Sequence, residues 1–417
     1  MSLVLLLGSL FLLSTLPAAT LTRSEAVALA LQHNLEVKLA RSQWDAARAR
    51  ALSAWSLPDP EIGAEFEQLS RPGDFGGFAE RSIGVSQTIE SPMKWWLNRR
   101  AAAQEAEGTR AAVFEWAKLD VSTRVVIAFD QVLLRKQVLR QEAANELLLQ
   151  EFTHKARLRH DAGDVPELAV LRAEVEAGRA TSRVEAAKQK LELAQSQMWT
   201  LLGAYSTADL QLEDAAPSDV QGDRQPNATL QQAQSRGLQN RSDLQGALRR
   251  IEEHRALRNA ERAGLWPDIT VGVARQTLRE GGKNEGAWRV GLGLEVPIWG
   301  GFRKRGALAE RKADLIGAQA EADRLRQQIM LEVQTAYVDL TTASRQLALF
   351  DERILQGAEQ AQFAAARSYV EGKASYLEVL DSQRSLLHTR IEYANILFNY
   401  RKARAALERA CGGGVER

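Results

Sequence analysis

Polar and apolar residues alternate strictly in four short stretches of this chain, while in the long stretches between them apolar residues recur every three or four positions. In the first alternating stretch Ile62, Ala64 and Phe66 face one way and Glu61, Gly63, Glu65 and Glu67 the other; in the second, Ile83, Val85 and Ile89 oppose Ser82, Gly84, Ser86 and Thr88. Ile269, Val271 and Val273 oppose Thr270, Gly272 and Ala274 in the third, and Trp288, Val290, Leu292, Leu294 and Val296 oppose Arg289, Gly291, Gly293 and Glu295 in the fourth. Period two predicts strands at about 60–69, 81–90, 268–279 and 287–297. Polar or tiny residues on the alternate face are the pattern of a transmembrane β-barrel strand, although a half-buried soluble sheet alternates in the same way. Four strands cannot close a barrel, and an open edge in lipid strands backbone groups without partners. In a membrane the chain must therefore assemble with itself, two copies supplying eight strands and three supplying twelve.

The intervening segments are rich in Ala, Leu, Gln, Glu and Arg, all good helix formers. Val113, Trp116, Leu119, Thr123, Val126, Phe129 and Leu133 lie close to one seam. All ten prolines fall where regular structure is expected to stop, leaving helices free to run over 93 to 160 and 299 to 369. At about 1.5 Å per residue, each is on the order of 100 Å long. Three landmarks recur at one offset of 209 residues: Pro58 with Pro267, Gly163 with Gly372, and Gly203 with Gly412. A shared offset marks a duplication. The first repeat is placed at 21–212, with its long helical hairpin turning at 161–166, and the second at 229–412, turning at 371–375. A linker at 213–228 joins them and 413–417 form a tail.

Residues 1–20 are largely apolar and end in Pro17, Ala18, Ala19 and Thr20, which is expected of a secretory signal; a retained anchor is the rival reading, but the apolar core of about 14 residues, broken by Pro17, is short for a span of about 20. The formal net charge of +1 leaves no electrostatic footprint for nucleic acid. Cys411 is the single cysteine, so the chain can form no internal disulfide and no cysteine cluster. Its five histidines lack ligand spacing, and no nucleophile and base stand at catalytic spacing. Neither metal site, cofactor nor enzyme activity is expected. Five of the nine tryptophans, Trp55, Trp95, Trp96, Trp266 and Trp299, cluster at strand–helix junctions, as in an interfacial aromatic belt. The loops at 70–80 and 279–286 are Gly-rich and polar, suited to the aqueous end of the strands.

An opening "LTRSEAVALALQHNLEVKLAR", a proline at the helix–strand junction, strands reading "VSQTIE" and "GLGLEVPIWGG", and turns of the form G-x-x-x-x-x-x-V-L, in this order and twice over, resemble the TolC-like family of outer-membrane efflux ducts. The resemblance covers nearly the whole chain after its first segment. It implies a homotrimer whose twelve-stranded β-barrel lies in the outer membrane and continues as a long periplasmic α-helical barrel. It also implies two partners, a periplasmic adaptor and an inner-membrane pump of the RND type, with outer-membrane lipid around the barrel. "VSQTIESPMKW" is similar to a segment of the heavy-metal cation branch, where Gly-Gly-Lys-Arg usually follows the strand; here Ser91, Pro92, Met93, Lys94 and Trp95 follow.

A duct needs constrictions, charged rings and docking turns rather than bond chemistry. The resemblance assigns the helical-hairpin turns to adaptor contact through Gly163, Asp164, Val165, Gly372, Lys373 and Ala374, with Asp164 and Ser375 able to cap the helices that follow. Glu378 and Asp381, three apart on one helix face, are expected to form an acidic ring at the pore entrance, although Ser375 and Glu378 also fit a capping box. Tyr369 matches the tyrosine of the family's gate, with Lys373 or Arg367 as its expected partner. The competing reading is a soluble periplasmic coiled-coil adaptor or structural protein, which needs no lipid-facing strands.

Overall fold

The computed structural model of the protein describes residues 20–67, 73, 75, 78–204, 210–213, 228–264, 266–280, 283–295, 301–371 and 373–413, without the side chains at 280, 283, 301, 302, 352, 370 and 376. The expected signal segment, most of the 70–80 loop, most of the linker, Trp299, Gly372 and the last four residues lie outside the described residues.

Each half of the chain runs through the same elements. In the first, α1 (Arg23–His33) and α2 (Leu35–Ser53) lead into β1 (Glu61–Glu67) and β2 (Glu80–Ile89), then α3 (Pro92–Thr109), α4 (Trp116–Asp161) and α5 (Glu167–Leu201). The second has α6 (Leu230–Asn240) and α7 (Ser242–Ala263), β3 (Asp268–Glu280) and β4 (Lys283–Glu295), then α8 (Gly301–Leu349), α9 (Leu355–Val370) and α10 (Tyr376–Ala410). Both halves open on a complete capping box, Thr22 with Glu25 and Thr229 with Gln232, which satisfies two orphan N–H groups at each helix start.

Two features of the helices differ from the pattern-based expectation. Helix runs continue from 92 to 161 and from 301 to 370, but each contains a π-helical turn, Arg110–Glu115 in one and Phe350–Ile354 in the other. A π turn inserts a residue and moves every later side chain around the axis. The buried seam of α4 is accordingly Val121, Val125, Phe129 and Val132, and only Phe129 of the expected set is fully buried.

The strands form one antiparallel sheet ordered β1-β2-β3-β4, so the two repeats meet where β2 pairs with β3. β3 and β4 pair as far as Glu280 and Lys283, leaving only 281–282 between them rather than the longer loop expected at 279–286. The paired positions Asn284, Glu285 and Gly286 extend the ladder although they lack apolar alternation.

The chain divides into two compact units that do not follow the repeats. One comprises Met1–Leu39, Ala117–Arg241 and Gln328–Arg417, the other Ala40–Trp116 and Ser242–Gln327, so each draws on both halves. In the first unit, glycine ends a long helix twice in the same way. Gly203 (φ +82°) follows α5 and Gly412 (φ +85°) follows α10, each in the left-handed region that closes a helix C-terminus. A Cβ at Gly203 would lie 2.4 Å from the His33 carbonyl oxygen, and one at Gly412 would lie 2.7 Å from the Asn240 carbonyl carbon. Gly203→Ala and Gly412→Ala are each expected to destabilise by about 2–4 kcal/mol, combining left-handed strain with backbone overlap. Gly178→Ala, in open space on α5, should leave thermal unfolding followed by helical circular dichroism unchanged or slightly raised.

Candidate functional site

The register of the sheet decides what each of its faces can do. Ile62 pairs with Val85, Val85 with Val273 and Val273 with Val290, and this row is flanked by Val271 with Leu292 and by Ile89, Ile269 and Leu294. All the alternating apolar residues that the structure describes therefore stand on one face. That face is bare: Ile62 is 80%, Leu292 79% and Val290 71% exposed. A continuous apolar surface of this kind is stable only against lipid or another apolar partner.

The opposite face is concave and polar. A Cβ at Gly84 would lie 2.6 Å from that of its pair mate Ala274, one at Gly293 would lie 3.6 Å from that of Thr270, and one at Gly272 would lie 3.7 Å from that of Ser86. Directly opposed Cβ atoms in a flat pair are about 4.5–5.5 Å apart, so the sheet curls toward this side, and tiny residues permit the curl. Glu61, Glu65, Glu67, Glu80, Asp268, Glu285 and Glu295 share the concave face by register. Arg289, 3.3 Å from Glu80, is the one cation on it among the described side chains. Alternation placed Glu61, Glu65, Glu67, Arg289 and Glu295 opposite the apolar set; that Glu80, Asp268 and Glu285 join them in one acidic surface needs the cross-strand register.

Among the described residues, both outer strands, β1 and β4, have one edge without a partner. At the junction with the helices Trp55, Trp96 and Trp266 are exposed, as an interfacial belt requires. Trp95 departs from that expectation: it meets Trp55 edge-on with ring centroids 6.4 Å apart, and both rings pack on the Arg99 guanidinium. Arg99 is buried and donates to the carbonyls of Ala54 and Trp55, closing the C-terminal end of α2.

In the other unit the turns at the ends of the helical hairpins are built differently from one another. Gly163 (φ +82°) closes α4, with the Asp164 N–H donating to Arg159 O (2.8 Å) and the Gly163 N–H to His160 O (2.8 Å). Asp164 does not cap α5, because Pro166 occupies the N-cap position and the helix begins two residues too late for its carboxylate. Ser375 does cap α10, and the Glu378 carboxylate accepts the Ser375 N–H at 2.6 Å in return. Half of the expected acidic ring is thus committed to the helix start. Asp381 is exposed and its nearest cation, Arg384, is 3.6 Å away. Arg384 itself sits 2.5 Å from Glu176. Burial raises the Glu176 carboxyl, but Arg384 and Arg179 more than offset this and hold it below its ordinary value.

Tyr369 meets a partner that no motif announced. Arg159 of the first hairpin donates to the Tyr369 hydroxyl at 2.8 Å, tying α4 to α9. Lys373 and Arg367 both pair with Glu371, at 2.8 and 3.1 Å. The one signal available in the sequence was that Arg159 and Tyr369 precede their turn glycines by four and three residues. Val165 and Ala374 are half-buried in the turns, and Lys373 is exposed.

Among the described residues no group of His, Cys, Asp and Glu could hold a metal ion, and no helix is long and apolar enough to cross a membrane. Residues 233–413 match the family model "Outer membrane efflux protein". The chain is 26% identical over 403 residues to the cobalt-zinc-cadmium resistance protein CzcC of Cupriavidus metallidurans, covering 95% of this chain and 91% of that protein. It is 22% identical to the outer membrane protein TolC of Escherichia coli over 88% of this chain and 77% of that one. Its fold superposes on the crystal structure of CusC with a TM-score of 0.79 at 20% identity, covering 94% and 92% of the two chains. Proteins of this family form trimeric channels that work with adaptor and inner-membrane pump partners. Residues 233–413 thus carry the signature of the outer membrane efflux protein family, and the likeness to CzcC and TolC runs over nearly the whole chain, as for an outer-membrane exit duct that extends into the periplasm.

Proposed function

We propose that three copies of the chain close their four-stranded sheets into one twelve-stranded barrel that passively releases cations, heavy-metal ions foremost, delivered by an RND-type pump. The observation that carries this reading is the split character of the sheet, bare and apolar on the convex face and acidic on the concave one. A lumen with seven carboxylates and one arginine per described sheet face draws cations and repels anions. Relatedness to a cobalt-zinc-cadmium resistance protein points the same way. The chain performs no bond chemistry in this scheme.

The hairpin turns at 162–166 and 371–375 are the adaptor-docking elements, and the Arg159–Tyr369 hydrogen bond holds the two hairpins of one subunit together in the closed entrance. Asp381 supplies the cation-attracting ring there, repeated three times by symmetry, while Glu378 serves mainly its helix cap. Trp55, Trp96 and Trp266 mark the lipid boundary.

Planar-bilayer recording tests the proposal. The trimer should be cation-selective, and Asp381→Asn should weaken block by multivalent cations about tenfold, since three like carboxylates in a narrow pore act together. A protein that remains monomeric in water without detergent, or a pore with no preference between cations and anions, overturns it.

A further inference from the structure

The carboxylates of the concave face stand in two tiers, and the row between them has none. Toward the hairpin end Glu67, Glu80 and Glu285 fall in one row with Glu65 in the next; toward the helices Glu61, Asp268 and Glu295 make the second tier. The row between is Gly63, Gly84, Ala274 and Arg289, each paired with the next across the four strands. Arg289 is thus the only side chain in it larger than a methyl group. It is also the middle residue of β4, so it stands halfway along the strand.

The guanidinium has room to lie along the wall. Gly63 and Gly291 open on free space, and a hollow of about 220 Å³ follows the bare rows with Arg289 in its lining. The half-exposed side chain leans toward the hairpin-end tier and donates to Glu80 Oε1 at 3.3 Å. Gln276, on the strand between them, donates to the same oxygen. Glu80 directly opposes Glu67, and like charges so placed repel one another and draw a counter-ion. Arg289 supplies that counter-charge from within the chain, at the carboxylate a multivalent cation would otherwise hold.

Resting on the duct reading above, we infer that Arg289 is a selectivity-determining residue of the duct: its three copies form a positive ring at mid-depth of the barrel, which separates the acidic tiers and keeps multivalent cations from lodging in them. A pore must attract an ion strongly enough for entry and weakly enough for release. Seven described carboxylates per subunit meet the first requirement, and the bare row with its arginine meets the second.

Reversal potentials of the trimer in planar bilayers give the test. Arg289→Gln should raise the potassium-to-chloride permeability ratio about twofold or more at about 0.1 M salt, and the gain should shrink at about 1 M, where the Debye length falls from roughly 10 to roughly 3 Å. Zinc ions added on the hairpin side should block this variant at about fivefold lower concentration. Arg289→Lys, which keeps the charge, should stay near wild type in both measurements. Ala274→Glu sets a carboxylate opposite Arg289 and leaves the arginine in place, so it should raise the ratio likewise even if Arg289→Gln fails to assemble. A purely structural clamp on Glu80 predicts trimers that melt earlier with the wild-type reversal potential. That result, or unmoved potentials in both Arg289→Gln and Ala274→Glu, overturns the inference while leaving the duct reading intact. A wild-type trimer that conducts no ions overturns the duct reading, and this inference with it.

Discussion

Val290→Lys is expected to abolish recovery of trimer from outer membranes. Val290 is 71% exposed midway along β4, at the β4 end of the apolar row Ile62, Val85, Val273 and Val290, with no neighbouring carboxylate on that face among the described residues. A lysine at mid-depth on the lipid face of a β-barrel costs about 2–4 kcal/mol. Trimer symmetry places it three times, for about 6–12 kcal/mol in all, comparable to the whole margin of a typical folded protein. The adjacent position provides the control. Gly291 points to the concave face with open space around its Cα, so Gly291→Ser should assemble and melt as wild type. Heat-resistant trimers on unheated gels give the measurement. Normal trimers from Val290→Lys would mean that the convex face meets something other than lipid.

The same face shows how far the sequence could be read. Period two identified the four strands, because successive side chains in a strand must point opposite ways whatever the fold around them. Pairing is a property of two segments at once. The acidic concavity became visible only once Glu67 was known to face Glu80 and Asp268 to face Glu295.

The helices repeat the lesson. Proline spacing and turn glycines gave their extents closely, since both act within a few residues of chain. The π turns at Arg110–Glu115 and Phe350–Ile354 left no proline or glycine signature at those residues, and the seam of α4 moved with the first of them. The Arg159–Tyr369 bond joins residues 210 apart, beyond the reach of local pattern. Glu378 was legible in both of its roles, and only geometry could assign its carboxylate to the cap.

The free thiol offers a route to these contacts. Burial pushes the Cys411 thiol up to about 11, so it stays protonated and unreactive at neutral pH. Cysteines introduced at Arg159 and Tyr369 can therefore be cross-linked or labelled without removing the native one.

Asp130→Ala should destabilise the protein by about 1–3 kcal/mol, the cost of taking the carboxylate away from Arg401 and the part-exposed Arg23. Asp130 is 3% exposed on α4. Its Oδ1 lies 2.5 Å from Arg23 at the start of α1 and 3.6 Å from Arg401 on α10. The carboxylate thus joins the beginning of the first repeat to the end of the second. Phe129 beside it is buried, and the Arg23 guanidinium lies 5.9 Å from the Phe129 ring, so Arg23 cannot swing to water without uncovering that ring. A purely packing role for Asp130 predicts that Asp130→Asn, nearly the same in shape, would be silent. The ion-pair role predicts that Asp130→Asn loses most of what Asp130→Ala loses, because two cations remain with a neutral amide between them. Combining Asp130→Ala with Arg23→Met should then cost less than the two single changes added, with a coupling energy of about 0.5–3 kcal/mol. Additive losses in chemical denaturation would show that Arg23 and Asp130 act independently, and the closure of the two repeats would have to be sought in the apolar seam alone.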